Sequence, residues 1–305
     1  MSAREYRFIQ VDVFTDRVFG GNPLAVVLDG RGLADGEMQA VAKEMNLSET
    51  TFILPPTRPD CAACVRIFTP ARELQFAGHP TIGTAWVMAM HGLVPGSPSA
   101  AFSLEEGIGP VPVTLDGDPG SPSFIWMRHG TPDFGPEMGN RAEIAAALNL
   151  TEADLISGAP IQTGSTGSRF MFVPLRDRAT VDRAVLDVPK IIKALGDQPL
   201  VGIFVFAPDP DPGAGRVHSR MFAPHTSGIP EDPATGSATG PLGAYLVKQR
   251  LMKAGGKVAI VSDQGVKMGR HSRLHIRGIE RGGELEEIEV GGGVVPVIDG
   301  RLRVP

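Results

Sequence analysis

The chain opens with an alternating run. Tyr6, Phe8, Gln10 and Asp12 fall on one side and Arg7, Ile9, Val11 and Val13 on the other, which predicts a β-strand. The turn-rich block FGGNP (19–23) follows, and Leu24–Leu28 returns as a buried strand. Asp35 is placed to cap a helix whose inner face is Met38, Val41, Ala42 and Met45, ending near Asn46. Thr50–Leu54 is a further strand, so Glu49 stands at a helix-to-strand junction. After a strand at Val65–Phe68, the stripe Ile82, Ala85, Trp86 and Ala89 predicts a helix beginning around Thr81–Thr84 and running to His91, stopped by Gly92. Strands are expected at Phe124–Met127, Phe170–Leu175, Gly202–Phe206 and His218–Phe222. Helices are expected at Arg141–Leu148, Val181–Leu186, Pro189–Leu195 and from about Gly236 to Met252.

The pattern repeats. Arg66-Ile67-Phe68-Thr69-Pro70 is echoed by Arg220-Met221-Phe222-Ala223-Pro224, and the block from Gly78 to Ala85 lines up with that from Glu231 to Ala238. The offset is about 153 residues, half the chain, which predicts a duplicated domain with pseudo-two-fold symmetry.

Composition narrows the class. The 38 glycines and 27 prolines among 305 residues disfavour a helical bundle and favour short strands and tight turns. Lys plus Arg number 29 and Asp plus Glu 34, a net charge of −5, so nucleic acid is not an expected partner. The longest aliphatic stretches, such as Val201–Ala207, are too short for a membrane span. With no apolar h-region in MSAREYRFIQ and only two cysteines, the expectation is a soluble, cytoplasmic protein.

Several residues could carry chemistry. Both long repeat blocks place Gly and a hydroxyl residue where a helix begins, and two facing helix starts would cradle a carboxylate; ordinary capping by Thr84 and Ser237 is the other reading. Glu49 shares a strand face with Leu47, Thr51 and Ile53, where an apolar setting raises a carboxyl pKa and suits a general acid/base; an exposed Glu beside a helix end is the alternative. His79 and Asp232 fall at equivalent places in the aligned repeat and would face each other at a domain interface, unless they are a structural histidine and a loop aspartate. Cys61-x-x-Cys64 has no second cysteine pair and leads into a strand, so neither a zinc site nor a redox dithiol is supported. The Gly164–Ser168 loop precedes a strand, where a phosphate cradle would precede a helix. No Walker A run, G-x-G-x-x-G, G-x-S-x-G or H-E-x-x-H occurs.

FGGNP (19–23), MNLSETTFIL (45–54), RIFTPARELQFAGHP (66–80), RMFAP (220–224), EDPATGSATGPLGAYL (231–246) and QG-x-x-MGR (264–270) run in the order of the phenazine-biosynthesis isomerase (PhzF-like) family, which the chain resembles over nearly its whole length. The resemblance implies an α+β protein of two pseudo-symmetric domains, each a curved, mostly antiparallel sheet or barrel around a central helix, as in diaminopimelate epimerase. It implies a cleft between them, and a homodimer. Epimerase-like racemases use a cysteine at each helix start; this chain is read as having His79 and Asp232 there, against two-base cysteine chemistry. The best understood family member isomerises trans-2,3-dihydro-3-hydroxyanthranilate without a cofactor, a glutamate moving the proton. By resemblance that glutamate falls on Glu49, with His79 and Asp232 completing the catalytic set and Gly78, Gly236 and Ser237 binding the substrate. The expectation is therefore a cofactor-free, metal-free isomerase of a small cyclic or conjugated carboxylate. An epimerase of another metabolite and a non-catalytic metabolite-binding protein are the other classes. Domains are expected at 1–125, with a returning C-terminal strand at 292–305, and at 126–291.

Overall fold

The computed structural model describes residues 4–94, 100–196, 200–223, 230–253 and 255–305; Pro224 of the second short repeat block lies outside them. The first half runs β1 (Arg4–Val13), β2 (Asn22–Val27), α1 (Asp35–Met45), β3 (Glu49–Leu54), β4 (Ala63–Phe68), β5 (Glu73–Leu74), α2 (Gly78–Met90), β6 (Ala101–Glu106), β7 (Gly109–Asp118) and β8 (Ser121–Arg128). The second runs β9 (Asp133–Glu137), α3 (Arg141–Ala147), β10 (Gln162–Ser165), β11 (Arg169–Pro174), α4 (Arg178–Arg183), α5 (Val188–Leu195), β12 (Gly202–Pro208), β13 (Arg216–Phe222), β14 (Glu231–Asp232), α6 (Gly236–Lys248), β15 (Gly256–Gln264), β16 (Ser272–Arg281) and β17 (Glu284–Gly292). β18 (Val294–Val304) pairs antiparallel with β1.

The strand pairings recur element by element. β1–β2 is antiparallel, β2–β3 parallel, β3–β4 antiparallel, β4–β6 parallel, and β6–β7–β8 antiparallel. The series from β10 to β17 repeats each of these: β10–β11 antiparallel, β11–β12 parallel, β12–β13 antiparallel, β13–β15 parallel, and β15–β16–β17 antiparallel. β8 and β17 pair with each other and join the halves. The outcome is a sheet-dominated α+β fold.

Each half encloses one helix. From Gly78 to Ala89, and from Gly236 to Val247, every residue of α2 and α6 is buried. A helix buried on all sides has no solvent face, so the sheet must wrap it. Strands β1, β2, β3, β7, β8 and β18 touch α2, and β10, β11, β16 and β17 touch α6. The outer helices have cores of their own, α1 against β2 and β3, and α3 to α5 against β11 and β12.

Some expected boundaries move. α2 begins at Gly78, not at Thr81–Thr84. Pro80 looks like a breaker, but in the first turn its missing N–H removes no helical hydrogen bond. The N-cap of α1 is Ala34, one residue before Asp35, and its N–H donates to Glu37 Oε2 at 2.8 Å. α6 stops at Lys248, because the chain enters the left-handed region at Arg250, φ 54°.

The repeat register also changes. Arg66 forks onto Glu73 (both bonds 2.7 Å) and Arg220 onto Glu231 (2.8 and 2.9 Å), while their guanidiniums lie over Phe68 and Phe222 at 5.1 and 4.7 Å. Glu73 and Glu231 are therefore equivalent, and five residues beyond each a central helix begins, at Gly78 and at Gly236. His79 then matches Ser237, not Asp232. The second half carries four more residues between its paired strands, which shifts the offset from 154 at Arg66/Arg220 to 158 at Gly78/Gly236.

Candidate active site

The two central helices meet head to head. A Cβ on Gly78 would lie 2.5 Å from Ser237 N and 2.6 Å from Gly236 C, and one on Gly236 would lie 3.1 Å from Gly78 Cα. Only glycine permits this approach at Gly78, where the obstruction is backbone. The N-caps are Ala77 and Thr235, and neither caps through its side chain. Thr84, expected as a possible cap, lies inside α2 and bonds Thr51 at 2.8 Å instead. The N–H groups of Gly78, His79, Gly236 and Ser237 are thus first-turn donors at one junction, where the positive ends of two helix dipoles add.

A cavity of about 270 Å³ opens on this junction. Glu49, Gly78, His79, Asp232, Gly236 and Ser237 all line it. Glu49 is the first residue of β3, held at the mouth of the parallel β2–β3 pair opposite Leu24. The αL turn at Asn46 (φ 51°) ends α1 and lets the chain reverse into that strand. His79 is the second residue of α2, and Asp232 ends β14 four residues before α6.

These side chains are buried among one another. His79 Nε2 lies 3.2 Å from Glu49 Oε2, yet the two atoms are not aligned as a hydrogen bond, and both are buried without a partner. Asp232 accepts from Thr235 Oγ1 at 2.6 Å and from Asn22 Nδ2 at 2.7 Å. Asn22 Nδ2 also lies 3.0 Å from His79 Nδ1. Gln264 binds the Asp232 carbonyl at 2.8 Å and accepts from the Thr235 N–H at 3.1 Å, bracing the start of α6.

Burial sets the protonation states. It pushes the Glu49 carboxyl well above the ordinary 4.5, and the nearby Asp232 charge raises it further. It pushes Asp232 up to about 6, against hydrogen bonds from Thr235, Asn22 and Ser48 that stabilise the anion. It pushes His79 down to about 3. The 3.2 Å contact is therefore not an ion pair, because the imidazole is neutral at ordinary pH. Two buried carboxyls at one cavity, both pushed up from their ordinary values, are groups that can hold and exchange protons near neutral pH.

Sequence reading overlooked part of the wall. Arg72, Phe76 and Met221 line the cavity, as do Gly167 and Ser168 from the β10–β11 turn and Arg169 beside them. The Gly164–Ser168 loop, unremarkable as a phosphate site, is here a cavity wall. Asn22 and Gln264 stood in plain view within FGGNP and QG-x-x-MGR, and those blocks were the only signal for them. Cys61 and Cys64 are free, and burial pushes both thiols up. Among the described residues, no group of three or more His, Cys, Asp or Glu is arranged to hold a metal ion.

Two matched sheet-and-helix halves, with buried titratable groups where their central helices meet, define a protein of the diaminopimelate epimerase-like fold. The chain belongs to the phenazine biosynthesis-like family, whose model matches residues 11–300. It is 36% identical over 297 residues to trans-2,3-dihydro-3-hydroxyanthranilate isomerase of Pseudomonas aeruginosa, covering 97% of this chain and 99% of that protein. A PhzF-family phenazine biosynthesis protein of Bacillus anthracis superposes with a TM-score of 0.87 at 27% identity, over 99% of this chain and 100% of the other. A hydroxyproline epimerase of Agrobacterium vitis, 12% identical, shares the fold with a TM-score of 0.67 over 99% and 92% of the two chains.

Proposed function

We propose that the protein moves a proton between two carbons of a small cyclic or conjugated carboxylic acid, without a cofactor. The observation that carries this is Glu49: a buried carboxyl of raised pKa on the wall of the cavity where two helix starts converge. The substrate carboxylate accepts hydrogen bonds from the N–H groups at Gly78, Gly236 and Ser237, a setting made for an anion. Ionised Glu49 takes a proton from one carbon, becomes the neutral acid that its surroundings favour, and returns the proton to another carbon. His79 and Asp232 orient the polar substituents. The named activity of the Pseudomonas aeruginosa relative makes trans-2,3-dihydro-3-hydroxyanthranilate the first substrate to try. This reading takes 1–125 with 292–305, and 126–291, as the two domains of a cytoplasmic homodimer whose partners are small carboxylates, not nucleic acid or membrane.

The test is Glu49→Gln with that substrate. Gln keeps the shape but cannot take the proton, so turnover should fall by roughly 10²–10⁴ while ligand affinity changes by only a few fold. In D₂O the wild type should place deuterium at the accepting carbon. Wild-type turnover in Glu49→Gln would remove Glu49 as the base.

A further inference from the structure

Asn22 opens β2 and is fully buried. Its Nδ2 lies 2.7 Å from Asp232 Oδ1, 2.9 Å from the Ala234 carbonyl oxygen and 3.0 Å from His79 Nδ1. The Asp232 carboxylate and the Ala234 carbonyl offer only lone pairs, so the amide end that faces them must be the NH₂. Flipping the amide would set its oxygen against both. The Asn22 Oδ1 is buried with no partner, so the nitrogen's contacts alone hold the orientation. The NH₂ has two hydrogens for three neighbours, so one is shared with His79 Nδ1; an N–H on that ring nitrogen would point at the NH₂ hydrogens, so Nδ1 is the bare nitrogen, and a neutral imidazole bare at Nδ1 carries its proton on Nε2.

We propose that Asn22 is a positioning residue that fixes His79 as the Nε2–H tautomer and directs this N–H to the Glu49 side of the cavity, while tying His79 to Asp232 across the junction of the two halves. The consequence for catalysis rests on the isomerase reading above: the substrate group facing His79 must offer a lone pair, such as a hydroxyl or carbonyl oxygen. Since the Nε2–H makes no hydrogen bond to Glu49, it is free to take that acceptor.

The test reads the tautomer directly, with no substrate. In protein carrying ¹⁵N-histidine, two-bond ¹H–¹⁵N spectra distinguish the tautomers, and the His79 signals are assigned by their loss in His79→Gln. The wild type should show Nδ1 bare and Nε2 protonated. Asn22→Asp replaces the donor with an acceptor and should convert His79 to the Nδ1–H form or the imidazolium, and Asn22→Ala should give a mixture. A wild-type Nδ1–H pattern overturns the proposal even if neither variant folds, and so does an unchanged Nε2–H pattern in folded variants. If the wild type turns over no carboxylate substrate but shows the expected tautomer, the isomerase reading fails and the role of Asn22 in setting the ring stands. With turnover in hand, Asn22→Ala should lower kcat by more than it raises KM.

Discussion

Individual residues here act through what surrounds them. Glu49 has a raised pKa partly because Asp232 is charged beside it. Asp232→Asn removes that charge, so Glu49 should ionise at lower pH. With Glu49 as the base of the proposed reaction, the acid limb of the kcat/KM profile should move to lower pH in Asp232→Asn, whatever happens to its height; a limb that stays in place would uncouple the two carboxyls. Glu106 offers a second case, away from the proposed chemistry. It ends β6 as Gln264 ends β15, each followed by glycine. Its Oε1 accepts from Thr81 Oγ1 at 2.5 Å, its Oε2 is buried without a partner, and burial pushes it up to about 8. Below pH 4.5 the carboxyl is neutral in both folded and unfolded chains and costs nothing. Between about 4.5 and 8 only the unfolded chain releases the proton, so wild-type stability should fall with rising pH, by up to roughly 1.4 kcal/mol per pH unit. Glu106→Gln removes this drain. Urea unfolding across that range should show the variant gaining on the wild type as pH rises, with the gap levelling off above about 8.

At the scale of elements, the site depends on how closely two helices approach. Nothing about Gly78 in its own helix demands glycine; the neighbouring backbone of Ser237 and Gly236 does. Gly78→Ala should cost about 1–3 kcal/mol by overpacking and should damage ligand binding together with stability. Gly36, in the first turn of α1, has no atom within 4 Å of an added Cβ, so Gly36→Ala should be neutral or stabilise by up to about 1 kcal/mol. Parallel urea melts of the two variants make the comparison, and equal effects would contradict the close-approach account.

For the whole molecule, the halves are locked by more than the β8–β17 pairing. Arg270, from the second half, reaches Asp12 Oδ1 (2.5 Å) and the carbonyls of Gly20 (2.6 Å) and Gly21 (2.8 Å) in the first. Asp12 is only 1% exposed. Arg270→Ala would leave that carboxyl buried without its cation, and a loss of about 3–5 kcal/mol is expected. Arg270→Lys should recover only part of it, since a single ammonium cannot fork onto three oxygens. Because the same clamp holds the FGGNP segment that ends in Asn22 and Pro23, unfolding and loss of ligand binding should move together in a denaturant titration. Among the described residues, no helix is long and apolar enough to cross a membrane.

Much of this was legible without coordinates. Periodicity placed the β1 strand and the face of α1, because alternation and 3.6-residue spacing are written in near neighbours, while the half-chain repeat showed as two pairs of matching blocks, the longer of them out of register. The family blocks pointed to Glu49, His79, Asp232, Gly78, Gly236 and Ser237, and all six side by side line one cavity. What the chain could not announce depends on distant segments meeting. The start of α2 at Gly78 was hidden behind Pro80, whose missing hydrogen bond matters only if the helix begins earlier. The equivalence of His79 with Ser237 was masked by four extra residues between strands, and only the paired Arg66–Glu73 and Arg220–Glu231 forks restore the register. Asn22 looked like a turn residue until residues 57 and 210 positions away were brought to its side chain. The proton affinities of Glu49, His79 and Asp232 are tertiary in the same sense. Local sequence sets which groups can titrate, but desolvation is the work of every atom packed around them, and that packing exists only in the folded molecule.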